Sequence, residues 1–126
     1  MALIVVVEDN EVMRRSITDA LEAGGHEVLV ASDGYEGYEM CIREKKVDLI
    51  ITDQNMPRMT GLEMLAMLRE HKKLAETIVI FHTTELRKEF RQSANDLKVR
   101  GWLLKPTDPD IIAGIVGKAL NEKAAS

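Results

Sequence analysis

The feature that most constrains this chain is a regular alternation of short apolar runs with longer amphipathic segments. Five apolar runs predict strands, at residues 2–7, 28–31, 47–52, 78–81 and 102–104. The first run has no polar interruption, which is typical of a central strand that is buried on both faces. An amphipathic segment follows each run. This alternation predicts an α/β fold, a doubly wound parallel sheet with helices on both sides.

Glycine and proline mark several helix boundaries. Gly24-Gly25 is predicted to end the first helix, Asp33-Gly34 to open the second, and Pro109 to lie in the first turn of the last, where its missing N–H is not needed. Leu86 and Ile111 are expected on the apolar faces of the fourth and fifth helices.

The length of 126 residues suits one domain with a single core. We therefore predict a single (βα)5 domain over residues 1–121, a flexible tail at 122–126 and no output domain. The single cysteine, Cys41, lies in an apolar stripe with Tyr38 and Ile42, which predicts a buried thiol.

Composition excludes several classes of function. No apolar run approaches the roughly 20 residues that span a bilayer, and the net charge of −4 argues against a nucleic-acid surface. The start, MALIVVVED, lacks the features of a signal peptide. We expect a cytoplasmic protein that binds neither membrane nor nucleic acid.

Polar side chains follow four of the predicted strands, at the point where each strand ends: Glu8-Asp9, Asp53, Thr83-Thr84 and Lys105-Pro106. Ligands of open doubly wound sheets bind beyond the carboxyl ends of the strands, so these side chains are expected to lie together. Three neighbouring carboxylates repel one another unless a cation neutralises them. Oxygen ligands at an open, solvated rim favour Mg²⁺, for which Mn²⁺ is expected to substitute.

A metal ion beside a carboxylate, a hydroxyl and a lysine suits phosphoryl transfer, which depends on positioning and on neutralising charge. Asp53 is the predicted nucleophile, while Lys105 and Thr83 each contact a phosphoryl oxygen and the metal a third. Each motif alone has a simpler interpretation, since acidic pairs often form solvated turns and Thr-Thr often caps a helix. The prediction depends on all four motifs meeting at one edge of the sheet.

Four segments resemble the signature segments of response-regulator receiver domains of two-component systems: VVEDN at 6–10, TDQNMPRMTG at 52–61, TTE at 83–85 and LKP at 104–106. Their spacing matches over essentially the whole chain, most closely that of stand-alone chemotaxis-type (CheY-like) receivers. The resemblance implies a flavodoxin-like fold with strand order 2-1-3-4-5. It also implies a signalling switch that is not an enzyme, apart from catalysing its own phosphorylation and dephosphorylation.

The resemblance assigns the site residue by residue. Asp53 would accept a phosphoryl group from a histidine kinase or phosphotransfer protein. Asp9 and Asp53 would bind Mg²⁺ through their side chains, and Asn55 through its backbone carbonyl. Glu8 stands where many receivers have Asp, and a role through water is implied. Lys105-Pro106 resembles a peptide bond that is cis in the family.

Further positions match the switch and the access path of receivers. Thr83 and Trp102 correspond to the hydroxyl and aromatic switch pair, while Asn55 and Glu85 flank the path of the attacking water. Thr84 is larger than the usual residue and predicts a narrower phosphate pocket. His82 ends the fourth strand where an apolar residue is common, and we interpret it as a structural histidine rather than a catalytic or metal-binding one.

The implied output surface is the face formed by the fourth helix, fifth strand and fifth helix, which would bind a downstream protein. A monomer is expected, with dimerisation on phosphorylation as an alternative. The chain could also be a receiver excised from a hybrid histidine kinase or multidomain regulator.

Two other classes of protein compete with a receiver. A metal-dependent phosphatase needs a second acid where Asn55 stands. A flavodoxin-like cofactor carrier needs a phosphate-cradling loop after the first strand, where the sequence has acidic Glu8-Asp9. Both are therefore less favoured than a receiver.

Overall fold

The computed structural model describes residues 2–125, with strands and helices alternating along the chain. Its elements are β1 (Leu3–Val7), α1 (Glu11–Ala23), β2 (Glu27–Ala31), α2 (Gly34–Arg43), β3 (Leu49–Thr52), α3 (Gly61–Arg69), β4 (Ile78–Thr83), α4 (Lys88–Asp96), β5 (Gly101–Leu104) and α5 (Pro109–Ala125), with a short 3-10 helix at Lys72–Leu74. The predicted βα alternation is confirmed.

The five strands form one sheet in the order β2-β1-β3-β4-β5, and every neighbouring pair is parallel. This confirms the strand order that the resemblance implied. Strand β1 pairs with β2 on one side and β3 on the other. All five strands therefore end at the same edge of the sheet, where the connecting loops are free to carry polar side chains.

Side chains of β1 alternate between two apolar cores because successive residues of a strand point to opposite faces. Ile4 and Val6 belong to the core that contains residues of α1 and α5. Val5 and Val7 belong to the core that contains residues of α2, α3 and α4. A strand covered on both faces must be apolar throughout, which explains the uninterrupted run at the start of the sequence.

Two residues expected on apolar helix faces are exposed. Leu86 precedes α4 and is 54% exposed, because that helix begins only at Lys88. Ile111 lies in the first turn of α5 and is 57% exposed, whereas the next residue, Ile112, is buried. The prediction that these two residues lie on buried apolar faces of the fourth and fifth helices was therefore wrong.

Helix α5 continues through Ala125 without a break at residue 121. Glu122, Lys123 and Ala124 are good helix formers and extend the helix although their side chains are exposed. Residues 122–125 of the predicted flexible tail are thus helical, and Ser126 lies outside the described residues.

Among residues 2–125, no helix has the length and apolar character that crossing a membrane requires. Cys41 is fully buried, as predicted, and burial raises the pKa of its thiol to about 12. The thiol is therefore protonated and unreactive at neutral pH.

The loop between β3 and α3 packs tightly against the end of β3. A Cβ atom at Gly61 would lie 2.3 Å from the carbonyl oxygen of Asp53 and 2.6 Å from the ring of Phe81. The Gly61 N–H also donates to the Gln54 carbonyl at 3.0 Å. The chain after Asp53 thus turns back on itself at a point where only glycine fits.

We predict that Gly61→Ala lowers the free energy of unfolding by about 1–3 kcal/mol, because the new methyl group must displace backbone atoms. Gly114→Ala is the matched control, since a methyl group at this glycine of α5 would meet no atom within 4 Å outside its own helix. That change should raise the free energy of unfolding by about 0.5–1 kcal/mol. Urea denaturation measures both, and an unchanged midpoint for Gly61→Ala would contradict the close approach.

Candidate functional site

Backbone hydrogen bonds continue between chain segments beyond the strand ends and align the four motif segments. The Asp53 N–H donates to the Val7 carbonyl at 3.1 Å, and the Lys105 N–H donates to the Thr83 carbonyl at 3.0 Å. Residues that are far apart in the sequence are therefore held side by side at one edge of the sheet.

The ammonium group of Lys105 lies between two carboxylates at this edge. Its Nζ is 2.8 Å from Glu8 Oε1 and 2.6 Å from Asp53 Oδ2. The side chains of Lys105, Glu8 and Asp53 are only 12%, 3% and 9% exposed, respectively. Charged groups are seldom buried to this extent without partners. One ammonium group here offsets two carboxylates, so the cluster retains negative charge.

The other carboxylate oxygens are held by backbone N–H groups. Glu8 Oε2 accepts the Asn10 N–H at 3.0 Å, and Asp53 Oδ1 accepts the Gln54 N–H at 2.6 Å. Asp9 differs from both, because it is exposed and makes no hydrogen bond or ion pair through its side chain with any residue from 2 to 125. Asp9 is therefore available to a ligand from solution.

Burial and the contacts between Lys105 and the two carboxylates shift the pKa values of Glu8 and Lys105. Burial raises the pKa of Glu8, and the Asp53 charge adds to this effect while Lys105 and the Asn10 N–H oppose it. Burial alone would lower the pKa of Lys105, but its hydrogen bonds to Asp53 and Glu8 raise it. Lys105 is therefore protonated at neutral pH, and its positive charge can stabilise an added anion.

The acidic residues have the chemistry and spacing of a metal site. Glu8, Asp9 and Asp53 each offer a carboxylate oxygen, and these oxygens all lie within 4.8 Å of one another. Hard divalent cations prefer such oxygen ligands. The residues present thus fit a divalent metal ion. Asn55, the remaining predicted ligand, is exposed in the loop after β3.

The loop after β4 carries the predicted hydroxyl and access residues. Thr83 is 1% exposed, and its Oγ1 accepts the Glu85 N–H at 3.1 Å. Thr84 is exposed. Arg87 Nε and a terminal guanidinium nitrogen donate to the two oxygens of Glu85 at 2.8 and 2.7 Å. Both oxygens of Glu85 are therefore held by Arg87, which fixes the orientation of this carboxylate.

The predicted switch aromatic belongs to a chain of three rings. Trp102 on β5 pairs in register with Phe81 on β4. The Trp102 ring centroid is 6.5 Å from that of Phe90 on α4, which is 5.0 Å from that of Phe81. These edge contacts connect the end of β4 to α4 and β5. The Lys105-Pro106 peptide bond is cis, as the resemblance implied.

Two arginines near the site were not identified from the sequence. Arg87 holds Glu85, and Arg14 of α1 donates to the Glu8 carbonyl at 2.8 Å. Arg14 follows Glu8 by six residues, across a loop and the first turn of a helix. No spacing rule predicts either contact, because each depends on how a loop is folded.

Comparisons with known proteins show what this chain resembles. A family model described as the response regulator receiver domain matches residues 4–116. The chemotaxis protein CheY homolog of Campylobacter jejuni is 34% identical, over 97% of this chain and 98% of that protein. Chemotaxis protein CheY1 of Helicobacter pylori is 34% identical, over 86% and 89%. The structure of Vibrio cholerae chemotaxis protein CheY4 has a TM-score of 0.86 at 31% identity and covers 94% of this chain and 98% of that one.

Hydrogen bonds from the side chain and the backbone N–H of Arg87 lower the pKa of Glu85 to about 2 from an ordinary value of 4.5. We predict that Arg87→Ala raises this pKa, because it removes the side-chain bonds, the largest cause, while the backbone N–H remains. Carbon-13 NMR of the carboxyl group would follow the titration. Lys88→Ala is the matched control, since it removes a neighbouring positive charge on an exposed side chain. Equal shifts in the two variants would contradict a specific role for Arg87.

Proposed function

Because this chain belongs to the response-regulator receiver family, we propose that it is a phosphoacceptor switch of a two-component system and that Asp53 receives the phosphoryl group. The observation that carries the proposal is the position of Asp53. This carboxylate lies at the meeting point of the motif segments, beside a buried ammonium group and two further acids. Those groups supply what phosphoryl transfer to a carboxylate needs.

The proposed donor is a phosphohistidine of a histidine kinase or of a phosphotransfer protein. A carboxylate oxygen of Asp53 attacks phosphorus, the bond from phosphorus to the histidine nitrogen breaks, and an acyl phosphate forms on Asp53. Lys105 is already within hydrogen-bonding distance of Asp53 and would neutralise one phosphoryl oxygen. The buried Thr83 hydroxyl, which now accepts the Glu85 N–H, would donate its proton to a phosphoryl oxygen in a hydrogen bond.

Mg²⁺ is the proposed cofactor, with Mn²⁺ able to substitute. The side chains of Asp9 and Asp53 and the backbone carbonyl of Asn55 would hold the ion, which when bound neutralises charge on the transferred group. Glu8 would act through water, because it is one methylene group longer than the Asp that many receivers have at this position. The Asp9 side chain has no hydrogen-bond or ion-pair partner among residues 2–125, which suits it to direct binding.

The proposed output surface comprises α4, β5 and α5. Movement of Thr83 toward the phosphoryl group would change the space beside the Phe81, Phe90 and Trp102 rings, which connect β4 to this face. A downstream protein would bind there. We propose that the protein is cytoplasmic and monomeric before phosphorylation, with dimerisation on phosphorylation as the alternative. The same switch chemistry would serve a stand-alone receiver or one within a hybrid kinase or multidomain regulator.

A metal-dependent phosphatase that uses Asp53 as its nucleophile is the main competing function. Such an enzyme would use a second acid two residues later as its general acid or base. Asn55 occupies that position and cannot exchange a proton in this way. This position therefore favours a switch over an enzyme, and the only reactions that we propose are the protein's own phosphorylation and dephosphorylation.

We predict that acetyl phosphate with Mg²⁺ adds one phosphoryl group to the protein and none to Asp53→Asn, because the amide is not a nucleophile. Intact-mass measurement reads the result. Asp19→Asn is the matched control, since Asp19 is an exposed carboxylate of α1.

The fluorescence of Trp102, the sole tryptophan, should change on adding Mg²⁺ with beryllofluoride in Asp19→Asn but not in Asp53→Asn. Equal phosphoryl incorporation in Asp53→Asn would contradict the assignment.

Thr84 is predicted to set the lifetime of the phosphorylated state by obstructing the opening beside Asp53. It is β-branched and exposed, between the buried residues Thr83 and Glu85, so it should obstruct incoming donors and water alike. Thr84→Ala should raise both the rate of uptake from acetyl phosphate and the rate of hydrolysis about tenfold, equivalent to about 1.4 kcal/mol of barrier. Glu85→Ala should slow hydrolysis only.

Thr84→Ser separates the steric effect from helix capping. Serine retains the hydroxyl but lacks the methyl group, so a steric effect makes this variant behave like Thr84→Ala. The N-cap of α4 is Arg87, without a side-chain cap bond, which favours the steric interpretation. Unchanged rates in Thr84→Ala, or rates that move in opposite directions, would show that interpretation to be wrong.

A further inference from the structure

His82 is a buried histidine that contacts the loop carrying Lys105. It follows Ile80 by two residues on β4 and therefore faces the core beneath α1 and α5. The residue is 2% exposed, and its Nε2 accepts the N–H of Thr107 at 3.2 Å. Thr107 lies two residues after Lys105, so His82 holds the segment that follows the lysine.

This hydrogen bond defines the protonation state of the ring. A backbone N–H can only donate, so Nε2 must present its lone pair and the neutral ring must carry its proton on Nδ1. Burial lowers the pKa of His82, the nearby Lys105 charge lowers it further, and the Asp53 charge opposes them. The ring is therefore neutral at neutral pH, the state in which Nε2 can accept.

The ring has an unsatisfied group that its own packing does not explain. Nδ1 is buried and has no hydrogen-bond partner among the described residues. Leaving a buried polar group unpaired is unfavourable, and an apolar side chain of similar size would avoid that cost. Within residues 2–125, the ring's hydrogen bond is the one to Thr107. The interaction that a histidine adds at this position is therefore its hydrogen bond to the loop at Thr107.

The loop around Lys105 is attached to β4 by two hydrogen bonds, one at the lysine itself and one two residues after it. The Lys105 N–H donates to the Thr83 carbonyl at 3.0 Å, and two residues later the Thr107 N–H donates to His82. The Thr107 hydroxyl also donates to the Leu104 carbonyl at 2.7 Å, which closes the loop on itself. A flexible lysine can keep both carboxylate contacts only if its backbone is held in place.

We propose that His82 is a positioning residue for phosphoryl transfer, because its neutral ring anchors the loop that places Lys105 Nζ between Glu8 and Asp53. This inference rests on the proposed function of Asp53. It assigns no direct contact with the phosphoryl group to His82. The ring acts through the Thr107 backbone, and every expected effect on the reaction passes through Lys105.

Two substitutions at this position separate anchoring from packing. His82→Leu keeps a side chain of similar size but removes the acceptor, and we expect initial phosphoryl uptake from acetyl phosphate to slow about tenfold, equivalent to about 1.4 kcal/mol of barrier. His82→Gln can place an amide oxygen near the position of Nε2 and should restore most of the rate. His71→Leu is the matched control, because it removes a histidine bonded to the Tyr38 hydroxyl, on the side of the sheet covered by α2.

A double-mutant cycle tests whether the effect passes through Lys105. In a Lys105→Ala background, His82→Leu should change the uptake rate less than about twofold, because the group that it positions is already absent. The same tenfold loss in that background would indicate general disruption and overturn the proposal. So would equal rates for His82→Leu and the unsubstituted protein, or equal losses for His82→Leu and His82→Gln.

Nitrogen-15 NMR of the unphosphorylated protein tests the hydrogen bond independently of any reaction. We expect His82 to be protonated on Nδ1 and to show coupling between Nε2 and the Thr107 amide. A proton on Nε2 would overturn the proposal, even if His82→Leu failed to fold. A failure of the proposed function can be distinguished from a failure of this inference. In the first case the unsubstituted protein would take up no phosphoryl group, while the NMR result would stay as expected.

Discussion

The ammonium group of Lys105 between the carboxylates of Glu8 and Asp53 is the interaction on which the site depends. It joins the ends of β1, β3 and β5, three segments that are distant in the sequence. Removing one member of a buried charge network leaves the others uncompensated and typically costs about 3–5 kcal/mol. The contact that makes the acidic cluster tolerable in the folded state is therefore also the one that places a cation beside the proposed nucleophile.

The parallel sheet makes this arrangement possible. Two apolar cores cover the faces of the sheet, so stability comes from side chains such as Val5 and Val6 that lie below the carboxyl edge. No buried residue of either core lies in the loops at that edge, although Met56 and Met59 of the loop after β3 pack against one core. These loops can therefore carry charge. The negatively charged cluster can persist because the repulsion between its carboxylates is offset by the burial of apolar side chains in the two cores of the same domain.

Loop contacts determine how the charged groups of the cluster are oriented. Backbone N–H groups of Gln54 and Asn10 hold carboxylate oxygens, whereas Asp9 remains exposed to solvent. Arg87 holds Glu85, and His82 holds the segment after Lys105. The site thus consists of a few charged groups that face the ligand position and a surrounding set of hydrogen bonds that determine where those groups point, as preorganised sites require.

The sequence by itself determined the fold class and the edge at which the site lies, because the alternation of apolar and amphipathic segments is local and each motif follows a strand. The strand order was predicted only from the resemblance to receiver domains, since periodicity does not say which strands pair. Only the tertiary structure decided that Leu86 and Ile111 are exposed, that both oxygens of Glu8 are occupied, and that His82 bonds Thr107. Those outcomes depend on loop conformation and on contacts between distant segments, which no spacing of residues along one chain specifies.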